Sequence, residues 1–107
     1  MSEGFWQDLR GRAVRVRDVV MRDGLQSEPA FVPTSDKVAL VDALSRTGLS
    51  AIEVTSFTSA RAIPALADAD EVMRRIERVP GVVYAALVLN VRGAERALDS
   101  RVDELDL

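Results

Sequence analysis

VVYAALVLN, residues 82–90, is apolar on both parities of an extended chain. A strand with one wet face alternates apolar and polar residues. A run without alternation is the pattern of a parallel strand covered on both sides. Pro80-Gly81 supplies the turn before it. After it, VRGAERALDSR (91–101) reads as a short helix and VDELDL (102–107) as a further strand. Before it, EVMRRIERV (71–79) sets Val72, Met73, Ile76 and Val79 on one helical face. SARAIPALADAD (59–70) is a loop or the start of that helix.

The same alternation of elements extends to the N-terminus. LSAIEVTSF (49–57) and the Val-rich AVRVRDVV (13–20) read as strands. Between them lies a long loop, RDGLQSEPAFVP (22–33). A helix follows it, with N-cap candidates in Thr34-Ser35-Asp36 and with Val38, Leu40, Val41 and Leu44 at helical spacing. Gly48 stands at its C-terminal end. Residues 1–12 are a polar lead-in, in which Phe5 and Trp6 could form a packing flap; the domain is expected over 13–107. The first three strands start roughly 30–40 residues apart, as βαβ units require. The fold class is therefore α/β, with about four parallel strands and intervening helices. A (β/α)8 barrel takes ~250 residues. An apolar strand at the end, with nothing to cover it, leads us to expect the N-terminal half of such a TIM barrel.

Composition narrows the chemistry. The chain has 107 residues, 48% of them hydrophobic and 29% charged, which is globular composition. Acids outnumber bases 17 to 14, for a formal net charge of -3. Neither a nucleic-acid footprint nor a basic membrane patch is indicated. No run approaches membrane-spanning length, no signal-type apolar stretch opens the chain, and a cytoplasmic location is expected. Cysteine and histidine are both absent, so neither thiolate nor imidazole chemistry is available to these residues. Carboxylates, arginine, tyrosine and hydroxyls remain.

In a barrel the site lies where strands end at their C-termini. Those ends hold Arg22 and Asp23, then Glu53, Thr55 and Ser56, then Asn90. Asp23 offers a carboxylate suited to Mg2+ or Mn2+, and is also a natural turn residue before Gly24. Arg22 offers a planar fork for a carbonyl or carboxylate, and is also one surface arginine among many. Glu53 lies mid-strand between Ile52 and Val54, where a covered acid requires a partner or a function. Strand parity groups it with Thr55 and Phe57, within reach of an inward Asp18 or an arginine from the next strand. Asn90 is either a ligand-orienting amide or a strand-end turn residue, and Ser56 either a ligand contact or a loop hydroxyl. Tyr84 is core. Arg15 and Arg17 are expected to point toward the helical layer.

MRDGLQSE (21–28), IEVTSFTSARAIPALADADEV (52–72) and YAALVLNVRGAERAL (84–98) together resemble the N-terminal part of the 3-hydroxy-3-methylglutaryl-CoA lyases, of the DRE-TIM metallolyase superfamily of barrels. The likeness runs from about Val14 to Leu107. Leu25 in RDGLQ favours the lyase branch over condensing enzymes such as isopropylmalate synthases. Val20-Met21 stands where the family often has Gly-Pro, and Asp18 where it commonly has Glu. The resemblance implies Asp23 as a ligand of a divalent cation, Mg2+ or Mn2+, and Arg22 as the catalytic arginine that stabilises an enolate. It implies a catalytic role for Glu53 beside that arginine, and substrate contacts from Arg22, Gln26, Ser56 and Asn90. The implied reaction is metal-dependent cleavage of 3-hydroxy-3-methylglutaryl-CoA, or a related 3-hydroxyacyl-CoA, to acetyl-CoA and acetoacetate. The full-length form is expected to be a homo-oligomer, a dimer. The family's two histidine ligands, its asparagine ligand and its catalytic cysteine belong to the C-terminal half, so this chain alone is expected to be inactive. The rival readings are a condensing enzyme or aldolase of the same superfamily, and a non-catalytic half-barrel that pairs with another chain.

Overall fold

The computed structural model describes residues 3–107. Four strands form one sheet in the order β1-β2-β3-β4, every neighbouring pair parallel. They are β1 (Arg17–Asp18), β2 (Ala51–Ser56), β3 (Val83–Leu87) and β4 (Glu104–Asp106). The helices are α1 (Glu3–Leu9), α2 (Thr34–Leu44), α3 (Ala69–Arg75) and α4 (Val91–Asp99). Sequential strands lie side by side with a helix in each crossover, the winding that closes barrels.

One core holds the sheet to its helices. Ile52, Val54, Tyr84, Ala86 and Val88 meet Val38 and Val41 of α2, Val72 and Met73 of α3, and Ala97 of α4. Tyr84 does not break this core, because its hydroxyl is satisfied. It donates to Ser45 Oγ at 2.8 Å and accepts from the Val79 N–H at 2.8 Å. Ser45 in turn donates to the Val41 carbonyl.

Several elements depart from the sequence expectation. The lead-in contains α1, in which Trp6 is exposed; the side chain of Phe5 lies outside the described residues. The first strand is two residues long rather than spanning 13–20. Its C-terminal part is drawn into a π-helical turn over Val20–Gly24, closed by the Leu25 N–H donating to the Val20 carbonyl. Helix α2 begins at Thr34 itself, behind Pro33, and the hydroxyl of Thr34 is engaged elsewhere. Helix α3 ends at Arg75, because Ile76 is extended.

The largest correction concerns which residues share a face. In β2, Glu53 pairs with Ala85 but Thr55 pairs with Ala86, so one extra residue breaks the alternation. Ser56, opposite Leu87, thereby joins Glu53 on the face away from the helices, and Thr55 leaves it. Arg17, opposite Ala51, shares that face rather than pointing toward the helices. It reaches across the sheet to β4, donating to Glu104 at 2.7 Å and to both carboxylate oxygens of Asp106 at 2.8 and 2.9 Å. The small side chains of Ala51 and Ala85 lie between and leave room for it. Hydrogen bonds to Glu104, then Asp106, push the Arg17 guanidinium above its ordinary value, against the opposing effect of burial.

Candidate active site

The π-helical turn explains how adjacent charged residues leave one strand end together. Met21 is buried as its anchor, while the next two residues turn outward. A helix widened by one residue is a local strain that recurs at functional sites. Here it sets Arg22 over β2. Arg22 Nε donates to Glu53 Oε1 at 2.5 Å, and Nη1 lies 3.5 Å from Asp23 Oδ1. The Arg22 side chain is 22% exposed and that of Glu53 only 6%. A carboxylate buried to this degree costs stability unless a cation meets it, and Arg22 is that cation. The partner comes from the turn after the first strand. Asp18 is otherwise occupied: its Oδ1 accepts from the Val20 N–H at 2.9 Å, shaping the entry to the turn.

The geometry has a direction. Glu53 takes Nε, the inner donor, which leaves the outer end of the guanidinium toward the rim. Asp23 stands beside it with a side chain 70% exposed. A fixed cation and an accessible carboxylate thus sit side by side at a strand terminus. Asp23 is an oxygen donor of the kind a hard divalent cation takes. Among the described residues no group of three or more acidic side chains could hold a metal ion.

The other expected residues are placed differently. Ser56 is fully buried, and its hydroxyl has no hydrogen-bond partner among the described residues. Its hydroxyl is an unspent donor on the face that Glu53 shares. Gln26 is exposed and lines a shallow groove with Glu28, Pro29, Phe31, Pro64 and Ala65. Asn90 caps α4, its Oδ1 accepting from the Gly93 N–H at 2.7 Å. Its carbonyl oxygen is therefore committed to the helix. Gly93 is required there, since a Cβ would stand 2.6 Å from the Phe57 carbonyl oxygen.

Two residues that the sequence reading passed over tie the rim together. Lys37 is buried and donates to Asp68 Oδ1 and to the Ala65 carbonyl, each at 2.6 Å. The signal was present: Lys37 is the single lysine of the chain, and it lies on the same helical face as Val41 and Leu44.

The HMGL-like family model matches residues 13–107. Hydroxymethylglutaryl-CoA lyase YngG of Bacillus subtilis is 50% identical over 93 residues, covering 87% of this chain and 31% of the relative. The cytoplasmic 3-hydroxy-3-methylglutaryl-CoA lyase of Mus musculus is 48% identical over 92 residues, covering 86% and 27%. The crystal structure of the Bacillus subtilis HMG-CoA lyase superposes with a TM-score of 0.84 at 51% identity, over 86% of this chain and 31% of that one. An HMG-CoA lyase from Acinetobacter baumannii, solved with coenzyme A and 3-methylmalate, gives 0.84 at 45% identity, over 85% and 30%. The chain thus spans about a third or less of the length of these relatives. The α/β fold corresponds to the N-terminal part of the HMG-CoA lyase barrels, and this chain belongs to the HMGL-like family.

Proposed function

We propose that residues 13–107 supply the first strands of a metal-dependent carbon–carbon lyase barrel that cleaves 3-hydroxy-3-methylglutaryl-CoA, or a related 3-hydroxyacyl-CoA. The products are acetyl-CoA and acetoacetate. The observation that carries this reading is the buried Glu53 holding Arg22 Nε at 2.5 Å at the strand-end rim, with Asp23 adjacent. Residues 1–12 are a lead-in outside the catalytic domain. A cytoplasmic location accords with the name of the mouse relative, and a mitochondrial one with that of Gallus gallus.

The chemistry is a retro-Claisen cleavage. A base removes the proton of the tertiary hydroxyl, that oxygen becomes a carbonyl, and the adjacent carbon–carbon bond breaks. The bonding pair moves into the acyl thioester, placing negative charge on its carbonyl oxygen; protonation at carbon then yields acetyl-CoA. Arg22 meets that oxygen with its outer N–H groups. A guanidinium already locked in place needs no reorganisation as charge develops, which is the source of the rate gain. Glu53 serves catalysis by fixing the arginine's plane and charge. Ser56, whose hydroxyl is unspent but buried, would reach the substrate only where the complete barrel opens its face to the site; Gln26 contacts the substrate from the groove, and Asn90 has its amide nitrogen left to offer. Asp23 would hold a divalent cation, Mg2+ or Mn2+, together with ligands from the rest of the barrel. When bound, that ion polarises substrate oxygens as a Lewis acid. A dimer of complete barrels is the assembly that goes with this reading.

The test is complementation. The chain is co-expressed with the remaining part of the Bacillus subtilis lyase, and acetoacetate release from the thioester is assayed with Mg2+. Cleavage is expected, falling about 10²–10³-fold in Arg22→Gln. A folded complex that cleaves no 3-hydroxyacyl-CoA overturns the reading.

A further inference from the structure

Two loops follow the segments that carry Arg22 and Glu53. One runs from the π-helical turn to α2 and carries Gln26. The other follows β2 and carries Pro64 and Ala65. A groove of about 240 Å³ separates them, with Gln26, Glu28, Pro29 and Phe31 on one wall and Pro64 and Ala65 on the other. Lys37, in the first turns of α2, touches both walls. Its Nζ lies 4.3 Å from the centre of the Phe31 ring and 2.6 Å from the Ala65 carbonyl oxygen. The third contact, 2.6 Å to Asp68 Oδ1, anchors it at the start of α3. Asp68 is held in turn by the Thr34 hydroxyl at 2.6 Å on its other oxygen.

A buried lysine is poor at stabilising a fold, because desolvation offsets most of the attraction to its partner. A methionine would fill this space at less cost. What the ammonium adds is direction. It ties Phe31 in one loop to Ala65 and Asp68 in the connection after β2, and Phe31 and Ala65 stand on opposite walls of one groove. We propose that Lys37 is a positioning residue, a latch that sets the spacing of the two rim loops and so the approach to Gln26 and Arg22. This assignment rests on the lyase reading only for what the loops are positioned to do; the latch itself is read without any assay of activity.

The experiment is amide hydrogen exchange on the 107-residue chain. The reporters are Glu28, Leu66 and Ala67, whose N–H groups bond within the loops, to Leu25, Ile63 and Pro64. The references are Phe57, Val83 and Val88, bonded across the sheet to Leu87, Ser50 and Asp106. In Lys37→Met the reporters on both loops should exchange about 10–100-fold faster, the change that loss of hydrogen bonds to a charged group brings, with the references unmoved. Equal acceleration of reporters and references makes Lys37 a strut of the whole fold and overturns the proposal. So does no change, and so does a wild-type chain whose reporters are unprotected. Where Lys37→Met fails to fold, Phe31→Leu decides. It removes only the ring contact, and faster exchange at Glu28 with unmoved references is required.

Discussion

At the scale of single residues, the site turns on how Glu53 is held. In Glu53→Gln the shape is kept and the charge is lost, so Arg22 stays partly buried with only the exposed Asp23 as counter-ion. Breaking a fully buried pair costs roughly 3–5 kcal/mol. Arg22 is 22% exposed, and water recovers part of that, so a loss of about 1–2 kcal/mol is expected in urea unfolding. In the complemented enzyme the same change should lower kcat more than it raises KM, because a freed guanidinium still binds but no longer meets the developing charge. Gly93 is the steric counterpart. Its missing Cβ lets α4 approach the Phe57 carbonyl, and the atom it would meet is backbone, which cannot swing away. Gly93→Ala should cost about 1–3 kcal/mol and lower the thermal midpoint. Glu53 could be singled out from sequence because an acid inside an apolar strand is anomalous. Arg22 beside it was implied only by the family resemblance, since the π-helical turn that brings Arg22 over Glu53 leaves no periodic signature. Lys37 and Asp68, 31 positions apart, become a pair only when α2 and α3 pack.

At the scale of elements, repetition carried most of the information. The apolar run over 82–90 and the recurrent helix–strand spacing are properties of whole segments, and they gave parallel strands in their observed order. What depended on a single residue was lost: the extra residue in β2 moves Ser56 to the face of Glu53, and no pattern of side-chain types announces it. Arg17 shows why strand parity must be read with register. It crosses from β1 to β4 and bonds Glu104 and Asp106, pinning the sheet's two edges to each other. Its raised pKa fixes the sign of the pH effect. The contribution is fully present below the unfolded arginine value and is lost only as pH rises past the folded one. The stability difference between wild type and Arg17→Met should therefore stay flat from neutrality to about pH 11. Salt should shrink it, because the partly exposed bridge is screened and is worth no more than about 1 kcal/mol.

At the scale of the whole molecule, the sheet is closed by pairing on the inside and open at both margins. Strands β1 and β4 each have one neighbour. Beyond them stand exposed apolar side chains: Val14 and Val16 near one margin, Leu89, Val91, Leu98 and Leu107 near the other. Unpaired strand margins flanked by apolar surface template association, and barrels remove the hazard by closing on themselves. The isolated chain should therefore bind an apolar dye such as ANS and associate with rising concentration, seen as growing mass by light scattering on size exclusion. Adding the remaining part of the Bacillus subtilis lyase should replace both signals with a defined one-to-one complex, because the same surface is then consumed by further strands and helices. A chain that stays monomeric and dye-silent would mean that these side chains find cover within the chain itself. A discrete dimer, unaffected by that added part, would instead mean that two copies satisfy each other's margins. The three outcomes separate by mass alone, and only the first makes Arg22 and Asp23 half of a site whose other half is a different sequence.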